Sequence, residues 1–230
     1  FYDCFTVGEG PRMEPEVALS YVREGKDKVL DMMINFAHME ADCFITDFLQ
    51  RPFDLVKLKK AFTKWQTKMY GKGWNALYME NHDHPRIISR YGSEKYRVES
   101  GKSIAASYLF QRGTPFVYQG QEIGMINTPL PSLDDYKDIM VKNNARIARS
   151  LGLSKETVLR LAQKASRDNA RTCMQWSSAP NAGFTNGKPW FVVNSNYKDI
   201  NVESQLDEPG SILNFYRNAL QFLSLIHISE

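Results

Sequence analysis

The stretch Trp74-Asn75-Ala76-Leu77-Tyr78-Met79-Glu80-Asn81-His82-Asp83-His84-Pro85-Arg86 decides how this 230-residue chain is read. Residues 74 to 79 have the apolar alternation of a buried strand, which sets Asp83 in the loop at that strand's end. An imidazole and a carboxylate there, closed off by Pro85 and Arg86, gather charge and hydrogen-bonding groups where a parallel barrel keeps its chemistry. Taken alone, Asn-His-Asp is also what a polar turn capping a strand looks like, because loops are polar anyway.

A second carboxylate shifts the balance. Glu9 ends the apolar run Cys4-Phe5-Thr6-Val7 and is followed by a Gly10-Pro11 turn. By itself Glu9 reads as a solvated loop residue. If both strands belong to one barrel, however, two strand-end carboxylates far apart in sequence converge, and paired carboxylates are what glycosidic bond cleavage requires. One protonates the leaving oxygen while another stabilises the oxocarbenium-like sugar.

Around these residues the chain resembles the alpha-amylase superfamily of glycoside hydrolases, family 13, and within it the oligo-1,6-glucosidase and alpha-glucosidase branch. The resemblance rests on Thr6-Val7-Gly8-Glu9, on Glu80 to Arg86 leading into Ser89-Arg90-Tyr91-Gly92, and on Gly113-Thr114-Pro115-Phe116-Val117-Tyr118-Gln119-Gly120-Gln121-Glu122-Ile123-Gly124-Met125. It continues through Ser166-Arg167-Asp168-Asn169-Ala170-Arg171-Thr172-Cys173-Met174-Gln175-Trp176 and Asn181-Ala182-Gly183-Phe184. Several motifs in the right order are far more specific than any one short pattern.

The resemblance implies an exo-acting, retaining alpha-glucosidase that cleaves terminal bonds, alpha-1,6 first among them, of isomaltose- or maltose-type oligosaccharides. Glu9 would be the general acid/base and Asp83 the group that holds the transition state. His82 would hydrogen-bond hydroxyls of the sugar being cleaved. Arg167 or Arg171 would fix the non-reducing-end glucose, although each could instead be an ion-pair partner for Asp168 or Glu122, since arginine's rigid fork serves both purposes. The family's nucleophile lies in an Arg-x-Asp motif on the strand before Val-Gly-Glu, and no such motif stands in that order here. The chain therefore reads as strands five to eight of a (β/α)8 barrel, a truncated catalytic domain over residues 1–222, inactive and insoluble or molten alone because four strands cannot close. Residues 223–230, Leu223 to Glu230, resemble a translated sequencing adapter and are set apart from fold reasoning.

The resemblance leaves trehalose-6-phosphate hydrolase and glucosyl-transferring or isomerising relatives as alternatives. A rival of another class is the non-catalytic amino-acid transporter heavy chain, a membrane-anchored subunit sharing this barrel. The presence of Glu9, His82 and Asp83 favours hydrolysis. Two positions depart from the family pattern: His84 stands where glutamine is usual, with a possible effect on the second sugar's pocket, and Cys173 where proline is usual.

Turn signals between apolar segments place a helix at Glu14 to Met32, a strand at Met33 to Ala37, a helix at Phe53 to Met69 with Lys57, Lys59 and Lys60 on its wet face, a helix at Gly101 to Phe110 and a strand at Pro115 to Tyr118. Ser132 to Lys164 reads as a helix pair, the second capped by Ser154. Asn181 to Asn201 reads as a long loop before a last helix at about Ser211. His38 is taken as a packing residue, and Trp176 is the tryptophan expected nearest the substrate.

Composition agrees with a globular enzyme without identifying one: 43% hydrophobic and 12% aromatic, with 29 basic and 26 acidic side chains giving a net charge of +3. The absence of a basic stripe gives no case for nucleic acid. No apolar run approaches the roughly 20 residues that span a bilayer. Cys4, Cys43 and Cys173 show no metal-ligand spacing and read as buried thiols, which suits a cytoplasmic location. No metal or other cofactor is expected, and the full-length protein is expected to be a monomer.

Overall fold

The computed structural model describes residues 4–25, 28–44 and 48–227. The chain divides into two units, Phe1–Met79 with Tyr108–Phe116 and Glu80–Ser107 with Val117–Glu230.

The first unit is built on four strands, β1 (Val7–Gly10), β2 (Met32–Asn35), β3 (Asn75–Leu77) and β4 (Thr114–Pro115), all parallel and in sequential order. Parallel neighbours need crossovers, and α1 (Pro15–Val22) and α2 (Leu55–Met69) supply the first two. Asp54 caps α2 by accepting from the Val56 and Lys57 amides at 2.9 and 3.1 Å. Leu58, Trp65 and Met69 recur at helical spacing and are buried, while Lys57, Lys59 and Lys60 are exposed as the sequence predicts. Trp65 and Met69 pack with Ala18, Leu19 and Val22 of α1 and Met33 of β2. His38 is buried, stacked on Phe62 with ring centroids 5.6 Å apart and edge-on to Tyr78 at 4.7 Å.

The helix predicted over Glu14 to Met32 stops at Val22. Gly25 follows with φ near +133°, and the Tyr21 carbonyl accepts from the Val29 and Leu30 amides, so the chain turns back at once. Lys26 and Asp27, inside that predicted range, lie outside the described residues. The returning chain is needed for β2, because Asp31 ties the entries of β1 and β2 together. Its Oδ2 accepts from the Thr6 amide at 2.6 Å and the Thr6 hydroxyl at 3.0 Å. The strand predicted over Pro115 to Tyr118 is shorter and earlier, ending at Pro115, with the Phe116 amide just beyond it donating to the Leu77 carbonyl.

The second unit carries α3 (Ile87–Tyr91), α4 (Arg97–Leu109, all but its last two residues), α5 (Ile139–Ser150), α6 (Lys155–Ala165), α7 (Glu203–Leu206) and α8 (Ile212–His227). Ile123, Met125, Met174, Ile200 and Leu213 form a core cluster here. Ser154 caps α6 as predicted, accepting from the Thr157 amide at 3.2 Å. Helix α4 begins four residues before the predicted start at Gly101. That glycine is interior because of packing: a Cβ on it would lie 2.7 Å from Ile212 Cδ1. The long loop from Asn181 to Asn201 is crossed by two single turns, Pro180–Gly183 and Ser195–Lys198. Residues 223–227 continue α8, while 228–230 lie outside the described residues. Among the described residues no helix is long and apolar enough to cross a membrane.

The reading of three buried thiols holds for one. Cys173 is buried, Cys43 is half-buried and Cys4 is exposed, none in a disulfide; Cys173 sits in an interior segment, with its sulfur 3.6 Å from the Phe191 carbonyl.

Two predictions follow from this packing, both for the full-length polypeptide that carries the chain. Gly113 has φ near +152°, and a Cβ there would lie 2.6 Å from the Asn75 carbonyl oxygen and 2.8 Å from Leu77 Cγ. Gly113→Ala should therefore cost about 3 kcal/mol by overpacking, read as a lower urea midpoint at unchanged slope. Lys28, then the Thr6 amide and hydroxyl, pull the Asp31 carboxyl down to about 2. A depressed folded-state value contributes stability above the unfolded value of 3.8 that is lost as pH falls toward 2. Asp31→Asn should accordingly lower the urea midpoint at pH 7 and flatten the decline between pH 4 and 2.

Candidate active site

The loop that decides the sequence reading is closed by a buried ion pair. Arg86 has no exposed surface; its Nη1 donates to Glu80 Oε2 at 3.0 Å and to the Gln119 carbonyl at 2.8 Å. Its Nη2 lies 3.6 Å from the Met125 sulfur, and its guanidinium carbon is 5.5 Å from the centre of the Tyr118 ring. Glu80 also accepts from the Ile87 amide at 2.8 Å, and the Arg86 amide donates to Asn127 at 2.9 Å. Burial pushes the Glu80 carboxyl up, with Arg86 and the Ile87 amide pulling the other way. Glu122 nearby is also raised by burial, against the Glu122 and Gly120 amides and Arg86.

Between the ends of that pair, Asn81 turns the backbone by accepting from the Asp83 amide at 2.8 Å. Asp83 then meets two arginines on one oxygen. Arg167 Nη1 and Arg171 Nη2 reach Oδ1 at 3.2 and 2.9 Å, while His82 Nε2 stands 3.5 Å from Oδ2. Arg171 Nε also donates to the His82 carbonyl at 2.9 Å, joining both residues of the pair. Both arginines come from the single turn Arg167–Arg171, which Ser166 caps. One Asp83 oxygen is thus held by cations and the other faces a ring with 65% of its side-chain surface exposed. A polyhydroxylated ligand could hydrogen-bond at that open side.

The match to known proteins follows this geometry. Residues 1–224 fit the family model described as alpha amylase, catalytic domain. The chain belongs to the alpha-amylase family. It is 44% identical to the oligo-1,6-glucosidase of Parageobacillus thermoglucosidasius over 96% of its length and 40% of that protein's. It superposes on the trehalose-6-phosphate hydrolase of Bacillus licheniformis with a TM-score of 0.90 at 41% identity, covering 96% of this chain and 40% of that one. An isomaltulose synthase from Klebsiella sp. LX3 also gives 0.90, at 33% identity and the same coverage. The chain thus spans about two-fifths of the relatives it matches, and its α/β fold matches part of the alpha-amylase barrel.

Of the residues singled out in the sequence, Asp83, His82, Arg167 and Arg171 are brought together. Glu9 lies in the first unit, exposed on β1 opposite Ile34. The alternative partners considered for the arginines are not the ones used. Arg167 pairs with Asp138 and Asp83, Asp168 accepts from the Lys137 and Asp138 amides, and Glu122 lies near Arg86. His84 is buried, its Nδ1 3.4 Å from Arg90 Nη1. Trp176 is half-exposed, and Trp74 Nε1 donates to Thr114 at 2.8 Å in the first unit. Among the described residues no group of three or more His, Cys, Asp or Glu is placed to hold a metal ion.

Two contributors were missed by sequence reasoning. Arg86 was seen only as closing the loop, although Glu80 six residues earlier is its partner. Asp138 lay hidden in an Asp- and Lys-rich helical stretch, where the only available signal was an aspartate immediately before an apolar helix start.

Removing the guanidinium from the buried pair should uncover the Glu80 charge. Arg86→Met is expected to cost about 3–5 kcal/mol of stability, and Glu80→Gln with Arg86→Met together less than that, measured by urea unfolding of the full-length polypeptide.

Proposed function

We propose that this chain is part of an exo-acting, retaining alpha-glucosidase acting on terminal alpha-1,6 bonds of short gluco-oligosaccharides, and that it supplies strands five to eight of the barrel. The single observation behind this reading is Asp83, held by two arginines and flanked by an exposed histidine, in a chain of the alpha-amylase family. Its relatives include an oligo-1,6-glucosidase.

In this mechanism Glu9 gives its proton to the leaving glycosidic oxygen and later takes one from water. Asp83 accepts hydrogen bonds from ring hydroxyls, which strengthen as positive charge grows on the sugar. Because Arg167 and Arg171 occupy Oδ1, the Oδ2 side is the one left for sugar, next to the His82 imidazole as a second donor. Arg171 is the arginine we assign to the non-reducing-end glucose, since Arg167 is committed to two carboxylates. The attacking carboxylate is neither of these acids and is taken to come from polypeptide outside these 230 residues. The reading includes a monomeric cytoplasmic enzyme without a cofactor.

In the full-length polypeptide, isomaltose should be hydrolysed to glucose, with trehalose 6-phosphate and sucrose poor substrates. Glu9→Gln and Asp83→Asn should each lower kcat by about 10³-fold. Residues 1–222 alone should not turn over p-nitrophenyl alpha-glucoside. Faster cleavage of trehalose 6-phosphate than isomaltose, or conversion of sucrose to an isomer, would replace the substrate assigned here, and turnover by 1–222 would refute the need for the outside carboxylate.

A further inference from the structure

Behind the arginine pair lies a carboxylate that the proposed chemistry does not use. Asp138 is 2% exposed and precedes α5, whose Met140 amide donates to its Oδ1 at 2.9 Å. The same carboxylate accepts from Arg167 Nε on both oxygens at 3.1 Å, from Nη2 at 2.6 Å and from the Arg167 amide at 3.2 Å. That edge-on, paired geometry fixes the plane of a guanidinium as well as its position. Nη1 is then the nitrogen left to point at Asp83 Oδ1, 3.2 Å away.

The segment carrying Asp138 is itself fixed from the other direction. Asp168 Oδ2 accepts from the Lys137 and Asp138 amides at 2.7 and 3.0 Å, while Ser166 Oγ accepts from the Asp168 amide at 3.1 Å. Each of two buried aspartates thus holds the backbone of the segment that carries the other. Among the described residues Arg171 has no such carboxylate behind it: its bonds go to Asp83 and the His82 carbonyl.

We propose that Asp138 is a positioning residue for the reaction, fixing the Arg167 guanidinium so that Nη1 stays against Asp83 and acting on the chemistry only through that arginine. This rests on the glycosidase reading given above. A helix cap alone would need one acceptor oxygen and no arginine, whereas this carboxylate spends both oxygens on Arg167. Burial would raise the Asp138 carboxyl, but the Arg167 guanidinium and the Met140 amide outweigh it, so the group is held below the usual range and ionised. Asp138 and Asp83 together raise the arginine's already high value.

The experiment is a double-mutant cycle in the full-length polypeptide, with Asp138→Asn, Arg167→Gln and the pair. Asparagine caps a helix as well as aspartate does, so it removes the charge pairing while leaving the cap. Asp138→Asn should lower kcat on p-nitrophenyl alpha-glucoside about 100-fold with little change in KM, as expected of a misplaced group near the reacting atoms. The double variant should be no slower than Arg167→Gln alone. Arg167→Lys, which keeps charge but cannot bind edge-on, should match Asp138→Asn and guards against a folding failure. Additive losses, or an unchanged kcat in Asp138→Asn, would overturn the proposal. An inactive parent would instead defeat the glycosidase reading, and the positioning claim is then decided by the Arg167 Nε proton in ¹⁵N-arginine spectra. Slow exchange with solvent that is lost in Asp138→Asn supports it; fast exchange in the parent overturns it.

Discussion

Burying an arginine without exposed surface is expensive unless its charge is paired, and Arg86 sets Nη1 on both Glu80 and the Gln119 carbonyl while its Nε stays without a partner among the described residues. The Glu80 to Arg86 pair joins the first and last residues of the seven that carry Asn-His-Asp, so the loop closes at both ends before any substrate contact is made. With few residues between its ends, the loop has few conformations left, and the Asn81 turn removes more of them. The charge pair is therefore less a source of stability than a device that selects one conformation of this loop. Hydrophobic residues of similar volume could stabilise the same interior, but they would not dictate where residues 81 to 85 project.

The same logic extends outward from Asp83. An aspartate at a loop tip keeps several rotamers open, and two guanidiniums on one oxygen remove that freedom. Arginine's fork only transmits order that it possesses, so a mobile arginine would fix nothing. Arg167 acquires its order from the buried Asp138, and Asp138 from amides that Asp168 organises. Order thus passes from buried backbone to a half-buried carboxylate through three charged groups.

Much of this was legible in the sequence, for reasons that differ by element. Helix α2 reads clearly because Leu58, Trp65 and Met69 recur on one face and Asp54 stands at its start. Helix α1 is shorter than its predicted range because Arg23 to Lys28 offers no apolar residue to bury and Gly25 lets the backbone reverse onto the Tyr21 carbonyl. The start of α4 was misplaced because a glycine reads as a break, whereas Gly101 is there to let Ile212 approach. Asp83 and His82 stand out from their place at a strand's end, whereas Arg167 and Arg171 come from motif resemblance, which carries information about position that local pattern lacks. Asp138 and the partner of Arg86 escaped because a pairing between residues tens of positions apart, or between a loop's two ends, leaves no periodic trace.

Glu9 poses the complementary problem, since it sits on a four-residue strand paired on one side among the described residues. A strand's side chains alternate between faces, so a slip of one residue against β2 would carry Glu9 to the opposite face. Four residues give little burial with which to resist that slip. What fixes the register is the Asp31 carboxylate, bonded to both the amide and the hydroxyl of Thr6 while its own amide donates back to that hydroxyl at 3.1 Å. These three bonds lie immediately before β1 and β2 and set Val7 against Met32, and hence Glu9 against Ile34. A surface carboxylate at a strand entry thereby decides which way an acid at the strand's other end points, and it does so without touching that acid.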